Sequence, residues 1–134
     1  MKKKILIVFG TRPEAIKLAP VIRELSNSFE LQICSTGQHK ELLDQVTKLF
    51  DIKIDFDLNI MSSGQDLFSV TSNIISKIKD VLDISKPDLV MVHGDTTTCM
   101  VASLASFYSK IDVAHLEAGL RPNDIYSPFP EELN

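Results

Sequence analysis

Asp88-Leu89-Val90-Met91-Val92-His93-Gly94-Asp95-Thr96-Thr97-Thr98 decides the fold: an apolar run stops abruptly at a glycine, an acid and three hydroxyl residues. Residues 89–92 show none of the polar alternation of a strand with one wet face. Both faces are therefore expected to be covered, as in a parallel strand of an α/β protein. Asp95 then falls at the carboxyl end of that strand, the edge at which open α/β sheets hold ligands. It has a second reading as an N-cap, since Asp before hydroxyl residues and an apolar run is a good helix start.

Outward from this stretch the same plan recurs. Residues 4–9 form an apolar run rich in Ile, read as strand one, and Gly10-Thr11-Arg12-Pro13 breaks it. Pro13 suits the first turn of a helix and Glu14 complements the helix dipole. That helix is expected to reach about Ser26, with Ile16, Leu18, Ala19, Ile22 and Leu25 toward the core and Pro20 kinking or interrupting it. Residues 29–35 read as strand two, and Thr36-Gly37-Gln38-His39 leads into a helical pattern of Leu42, Leu43, Val46, Leu49 and Phe50. Residues 54–58 give a short strand three. Residues 65–84 follow helical spacing, ended by Pro87 before strand four. Residues 96–108 are helical and rich in small side chains, residues 113–116 are strand five, and 117–130 are loop before a helix start at Pro130-Glu131-Glu132.

Strands alternating with helices imply right-handed crossovers onto one parallel sheet with helices on both faces. The expected order is 3-2-1-4-5, a Rossmann-like α/β fold occupying residues 1–134 as a single domain. In that order strands one and four are neighbours whose connections leave in opposite directions. The switch crevice then lies between Gly10-Thr11-Arg12 and His93-Gly94-Asp95.

Composition narrows the partners. With 44% hydrophobic and 24% charged residues the chain reads as soluble and globular. A net charge of −4 argues against nucleic acid, whose binding modules concentrate basic surface. The basic cluster Lys2-Lys3-Lys4 precedes only the five apolar residues 5–9, too few for a signal peptide's core, and no stretch approaches a membrane span. Cys34 and Cys99 lack metal-like spacing and read as buried thiols of a cytoplasmic protein.

Three polar clusters are expected at the crevice: Arg12 after strand one, Asp95 after strand four and Glu117 after strand five. Carboxylates at adjacent strand ends resist ionising together, which separates their proton affinities and suits acid and base roles. Arg12 is a natural phosphate partner, because guanidinium binds two oxygens at once and the helix after Pro13 adds its positive end. Its alternative is an ion pair with Glu14 or another acid. Lys17, one turn further on, is either a ligand contact or a solvated charge. His39, His93 and His115 form no metal-ligand series and read as hydrogen-bonding wall residues, with His39 within reach of a substrate. No dinucleotide fingerprint, Walker-type phosphate loop or GxSxG elbow is present.

Gly10-Thr11-Arg12-Pro13-Glu14-Ala15-Ile16-Lys17, Thr36-Gly37-Gln38-His39, Val92-His93-Gly94-Asp95-Thr96-Thr97-Thr98, His115-Leu116-Glu117-Ala118-Gly119-Leu120-Arg121 and Pro128-Phe129-Pro130-Glu131-Glu132 together resemble the successive motifs of non-hydrolysing UDP-N-acetylglucosamine 2-epimerases. The resemblance implies the first half of a two-domain fold of the glycosyltransferase B type, of which this chain is expected to hold only the first part, an incomplete Rossmann-like N-terminal domain at residues 1–134, with the second domain absent from this chain. It implies interconversion of UDP-N-acetylglucosamine and UDP-N-acetylmannosamine for bacterial surface polysaccharides, by elimination of UDP and its re-addition, in a homodimer, without metal or cofactor. This chain by itself is then expected to be inactive. Carried over by motif, Asp95, Glu117 and Glu131 fall on the proton-handling positions, Arg12 and Lys17 on substrate contacts, and Gln38 and His39 on sugar-nucleotide contacts. Rival readings are a glycosyltransferase or sugar-nucleotide hydrolase of the same fold, and a non-catalytic module that binds a sugar nucleotide.

Overall fold

A computed structural model of the chain describes residues 2–37, 40–60, 64–117 and 134. Five parallel strands, β1 (Lys4–Phe9), β2 (Glu30–Ser35), β3 (Phe56–Asp57), β4 (Leu89–His93) and β5 (Asp112–Leu116), lie in the expected order β3-β2-β1-β4-β5. Four helices connect them: α1 (Arg12–Leu25), α2 (Lys40–Leu49), α3 (Leu67–Ser85) and α4 (Thr97–Tyr108). The expected third strand shrinks to two residues because only Phe56 and Asp57 pair with β2, at Cys34 and Ser35.

The period-two geometry of β1 sorts the core into two layers. Leu6 and Val8 face one layer with Val90 and Val92 of β4, against Ile74, Ile78, Val81 and Leu82 of α3 and Val101, Ala102 and Ala105 of α4. Ile5, Ile7 and Phe9 face the other, with Met91, against Ala15 and Leu18 of α1. Small side chains on α4 let it pack close, and its Ser106 hydroxyl is accommodated by donating to the Ala102 carbonyl at 2.7 Å.

Several local expectations are corrected. Helix α1 runs through Pro20 without interruption. Pro20 removes one N–H from the ladder, but Leu18 and Ala19 before it are buried and Val21 and Ile22 after it pack on the same core layer, which holds both halves. Ile16 is 39% exposed and does not join that layer. The end of α3 is made by Lys86, whose left-handed backbone (φ 48°) lets its N–H bond the Leu82 carbonyl, one residue ahead of Pro87. Thr96, not Asp95, caps α4: its hydroxyl accepts from the Cys99 N–H at 3.2 Å.

Candidate active site

Every strand delivers its carboxyl end to one edge, and β1, β4 and β5 stand side by side there. Gly94 follows β4 with φ 75°, a conformation glycine adopts freely, and turns the chain into Asp95 and the start of α4. Gly94 N–H donates to the Leu116 carbonyl at 2.9 Å, which ties this turn to the end of β5. Glu117 comes next, in the left-handed region at φ 59°.

Glu117 is held from two sides. The Lys17 ammonium reaches across from α1 and donates to Oε1 at 2.7 Å and to Oε2 at 2.8 Å. His93 Nε2, at the end of β4, lies 2.6 Å from Oε2. The Lys17 hydrogen bond holds the Glu117 carboxyl below the usual range against the opposing cost of desolvation, helped by the charges of Lys17 and His93. The expected mutual repulsion of Asp95 and Glu117 is therefore not what sets Glu117; the lysine is. His93 is buried, and that desolvation pushes its pKa down, helped by the nearby Lys17 and His115 and opposed by Glu117. As the neutral ring it donates from Nε2 to Glu117, which leaves the buried Nδ1 without a partner.

His115 Nε2 donates to the Gly94 carbonyl at 2.6 Å, with the Cys99 thiol 3.4 Å away, so this histidine braces the β4–α4 turn as a wall residue. Burial raises Cys99 to about 12 and Cys34 likewise to about 12, leaving both thiols protonated and unreactive. Asp95 is exposed at the turn, and its carbonyl accepts from the Asn134 amide at 3.1 Å. Arg12 is exposed at the first turn of α1. Among the described residues no cluster of His, Cys, Asp or Glu is arranged to hold a metal ion. Gln38, His39 and Glu131 lie outside the described residues.

Glu14 is the group that motif reading misplaces. It is 2% exposed, not a solvated partner of the helix dipole, and it forms no ion pair with Arg12 among the described contacts. Its Oε1 accepts from the Thr11 hydroxyl at 2.8 Å, while Oε2 is buried without a partner. Burial raises its pKa to about 7; hydrogen bonding from Thr11, the neighbouring Thr96 hydroxyl and the Gly10 and Thr11 backbone only partly offsets this. A signal for it was present: Thr11 at the N-cap and Glu14 three residues on have capping-box spacing.

These features define an α/β protein of Rossmann-like type whose switch crevice carries an acid, a lysine, a histidine and the starts of two helices. The family model described as UDP-N-acetylglucosamine 2-epimerase matches residues 23–134. The chain is 61% identical over 133 residues to the UDP-N-acetylglucosamine 2-epimerase of Neisseria meningitidis, covering 98% of this chain and 36% of that protein. The crystal structure of the N. meningitidis enzyme bound to UDP-GlcNAc matches with a TM-score of 0.93 at 61% identity, over 98% of this chain and 36% of the other. The Methanocaldococcus jannaschii enzyme in complex with UDP-GlcNAc and UDP matches at 0.90 with 38% identity, over 98% and 36% respectively. The chain belongs to the UDP-N-acetylglucosamine 2-epimerase family. It spans 36% of the length of the N. meningitidis relative.

Proposed function

We propose that the protein carrying this chain inverts C2 of UDP-N-acetylglucosamine to give UDP-N-acetylmannosamine, and the reverse, by eliminating UDP and adding it back. The observation that carries this reading is Glu117, a carboxylate at the carboxyl edge gripped by both Lys17 and His93 in a chain of this family. Elimination needs a base for the C2 proton, an acid for the opposite face and positive partners for the departing diphosphate.

In this reading Arg12 and Lys17 meet the diphosphate. When Lys17 turns to phosphate oxygens, Glu117 loses the hydrogen bond that most depresses its pKa and becomes a stronger base. Asp95 and Glu131 share the remaining proton transfers, and Gln38 and His39 contact the sugar nucleotide. The complete site is a cleft closed by a second domain of the glycosyltransferase B type, and the working form is a cytoplasmic homodimer. No helix among the described residues is long and apolar enough to cross a membrane.

Turnover of UDP-N-acetylglucosamine in heavy water by the complete protein tests the reaction. The expected product is the C2 epimer carrying deuterium at C2, because the abstracted proton exchanges before return. Glu117→Gln, which keeps the shape but accepts no proton, is expected to slow turnover by about a hundredfold to ten-thousandfold. Free UDP with a reducing sugar and no epimer would identify a hydrolase, and epimer without deuterium would exclude proton abstraction at C2.

A further inference from the structure

Glu14 sits beneath the crevice and takes no part in the chemistry proposed above. Its carboxyl hydrogen-bonds Thr11, beside Arg12 on the β1–α1 turn, and lies next to Thr96, beside Asp95 on the β4–α4 turn. It is among the most deeply buried charged-type residues described, and Oε2 has no partner. An ordinary capping-box glutamate stands in solvent, ionised, and strengthens the helix start. Buried in this way, a full negative charge is costly and would oppose any anion drawn to the positive end of α1.

We propose that Glu14 is a positioning residue: as the neutral acid it ties the turn carrying Arg12 to the turn carrying Asp95, and an anionic ligand bound between those turns takes up a proton at Glu14. The ligand class is a nucleoside diphosphate, and in this the proposal rests on the sugar-nucleotide reading of the site. The surroundings leave Glu14 as the group that titrates. Cys99 of α4 stays protonated, its pKa raised to about 12 in part by Glu14 and Asp95. His93 of β4 is biased toward neutral, and Lys17 of α1 holds Glu117, which follows β5, in the free protein; any proton Glu117 gains when Lys17 turns to the ligand is common to wild type and Glu14→Gln. Arg12 is the other charge in the first turn of α1, and Arg23 and Glu24 stand in its last turn, away from the crevice. Burial, not a neighbouring charge, is the largest cause of the Glu14 shift to about 7.

The test is calorimetric titration of the complete protein with UDP in two buffers of different ionisation heat, comparing wild type with Glu14→Gln. At pH 8 the wild type is expected to take up close to one proton more than the variant on binding. Its affinity should fall about tenfold more than the variant's between pH 6 and pH 8, as the neutral fraction shrinks. Equal proton uptake in the two proteins would overturn the proposal and leave Glu14 a capping residue only. Should Glu14→Gln fail to fold, Thr11→Val keeps the acid and removes a hydrogen bond that favours its ionised form; the midpoint of uptake should move to higher pH, and an unmoved midpoint overturns the proposal. Proton-linked UDP binding without epimer formation would sink the epimerase reading and leave this one standing. Epimer formation with equal uptake does the reverse, and a protein that binds no UDP sinks both.

Discussion

Glu14 shows how a single burial changes the chemistry of an otherwise routine residue. Its folded pKa of about 7 lies above the ordinary carboxyl value of 4.5, so the unfolded chain ionises first as pH rises. Glu14's contribution to stability is therefore complete below about pH 4.5 and is lost as pH climbs to about 7, with a difference of roughly 3 kcal/mol at one and a third per pKa unit. Urea unfolding across this window should show wild type losing that amount relative to Glu14→Gln; parallel curves would mean that Glu14 is ionised in the fold. A second residue prediction concerns Lys17. Lys17→Met removes the hydrogen bond that most lowers Glu117, so the Glu117 carboxyl, followed by carbon-13 NMR, should titrate at higher pH than in wild type. An unchanged midpoint would mean that His93 alone sets it. Arg12, Asp95 and Glu117 were legible at one sheet edge because each follows a strand or begins a helix, whereas Lys17, a turn inside α1, read equally as a solvated charge. Glu14 was not legible, because a Glu after Pro has the local pattern of a solvated helix start and only its tertiary surroundings, with the Thr96 hydroxyl of the β4–α4 turn beside it, bury it.

At the scale of elements, the turns after β2 and β4 use glycine for different reasons. Gly94 has φ 75° with open space where a Cβ would stand, whereas Gly37, also at φ 75°, would put a Cβ 3.1 Å from the Asn59 Cα. Gly94→Ala should therefore cost only the left-handed backbone penalty, about 1–2 kcal/mol. Gly37→Ala adds a clash with backbone that cannot swing aside and should lower the thermal midpoint further; equal losses would show that the loop at Asn59 yields. Strands β1 and β4 were readable as apolar runs because burial on both faces demands them, whereas β5, at the sheet edge, has no buried residue. The short β3 and the unbroken α1 were not readable, since pairing partners and packing across Pro20 belong to tertiary structure.

For the molecule as a whole, the expected order β3-β2-β1-β4-β5 is the observed one and brings Arg12, Asp95 and Glu117 to one edge; the grip of Lys17 on Glu117, a hundred residues away in sequence, was not foreseen. What covers the outer face did not. Phe68 is 86% exposed on α3, and Phe107 and Tyr108 are 74% and 67% exposed on α4, helices that share one side of the sheet. If the proposed homodimer uses this side, Phe107→Glu should shift the complete protein from dimer toward monomer in light scattering; an unaltered dimer would move the interface elsewhere. The left-handed backbone at Glu117 has a consequence for the protein's future under breeding. Glycine would relax that position at the cost of leaving Lys17 and the buried His93 without their carboxylate; a population propagated only for heat tolerance should therefore accept Gly at 117 only together with a change at His93, and would lose the reaction if Glu117 is the proposed base.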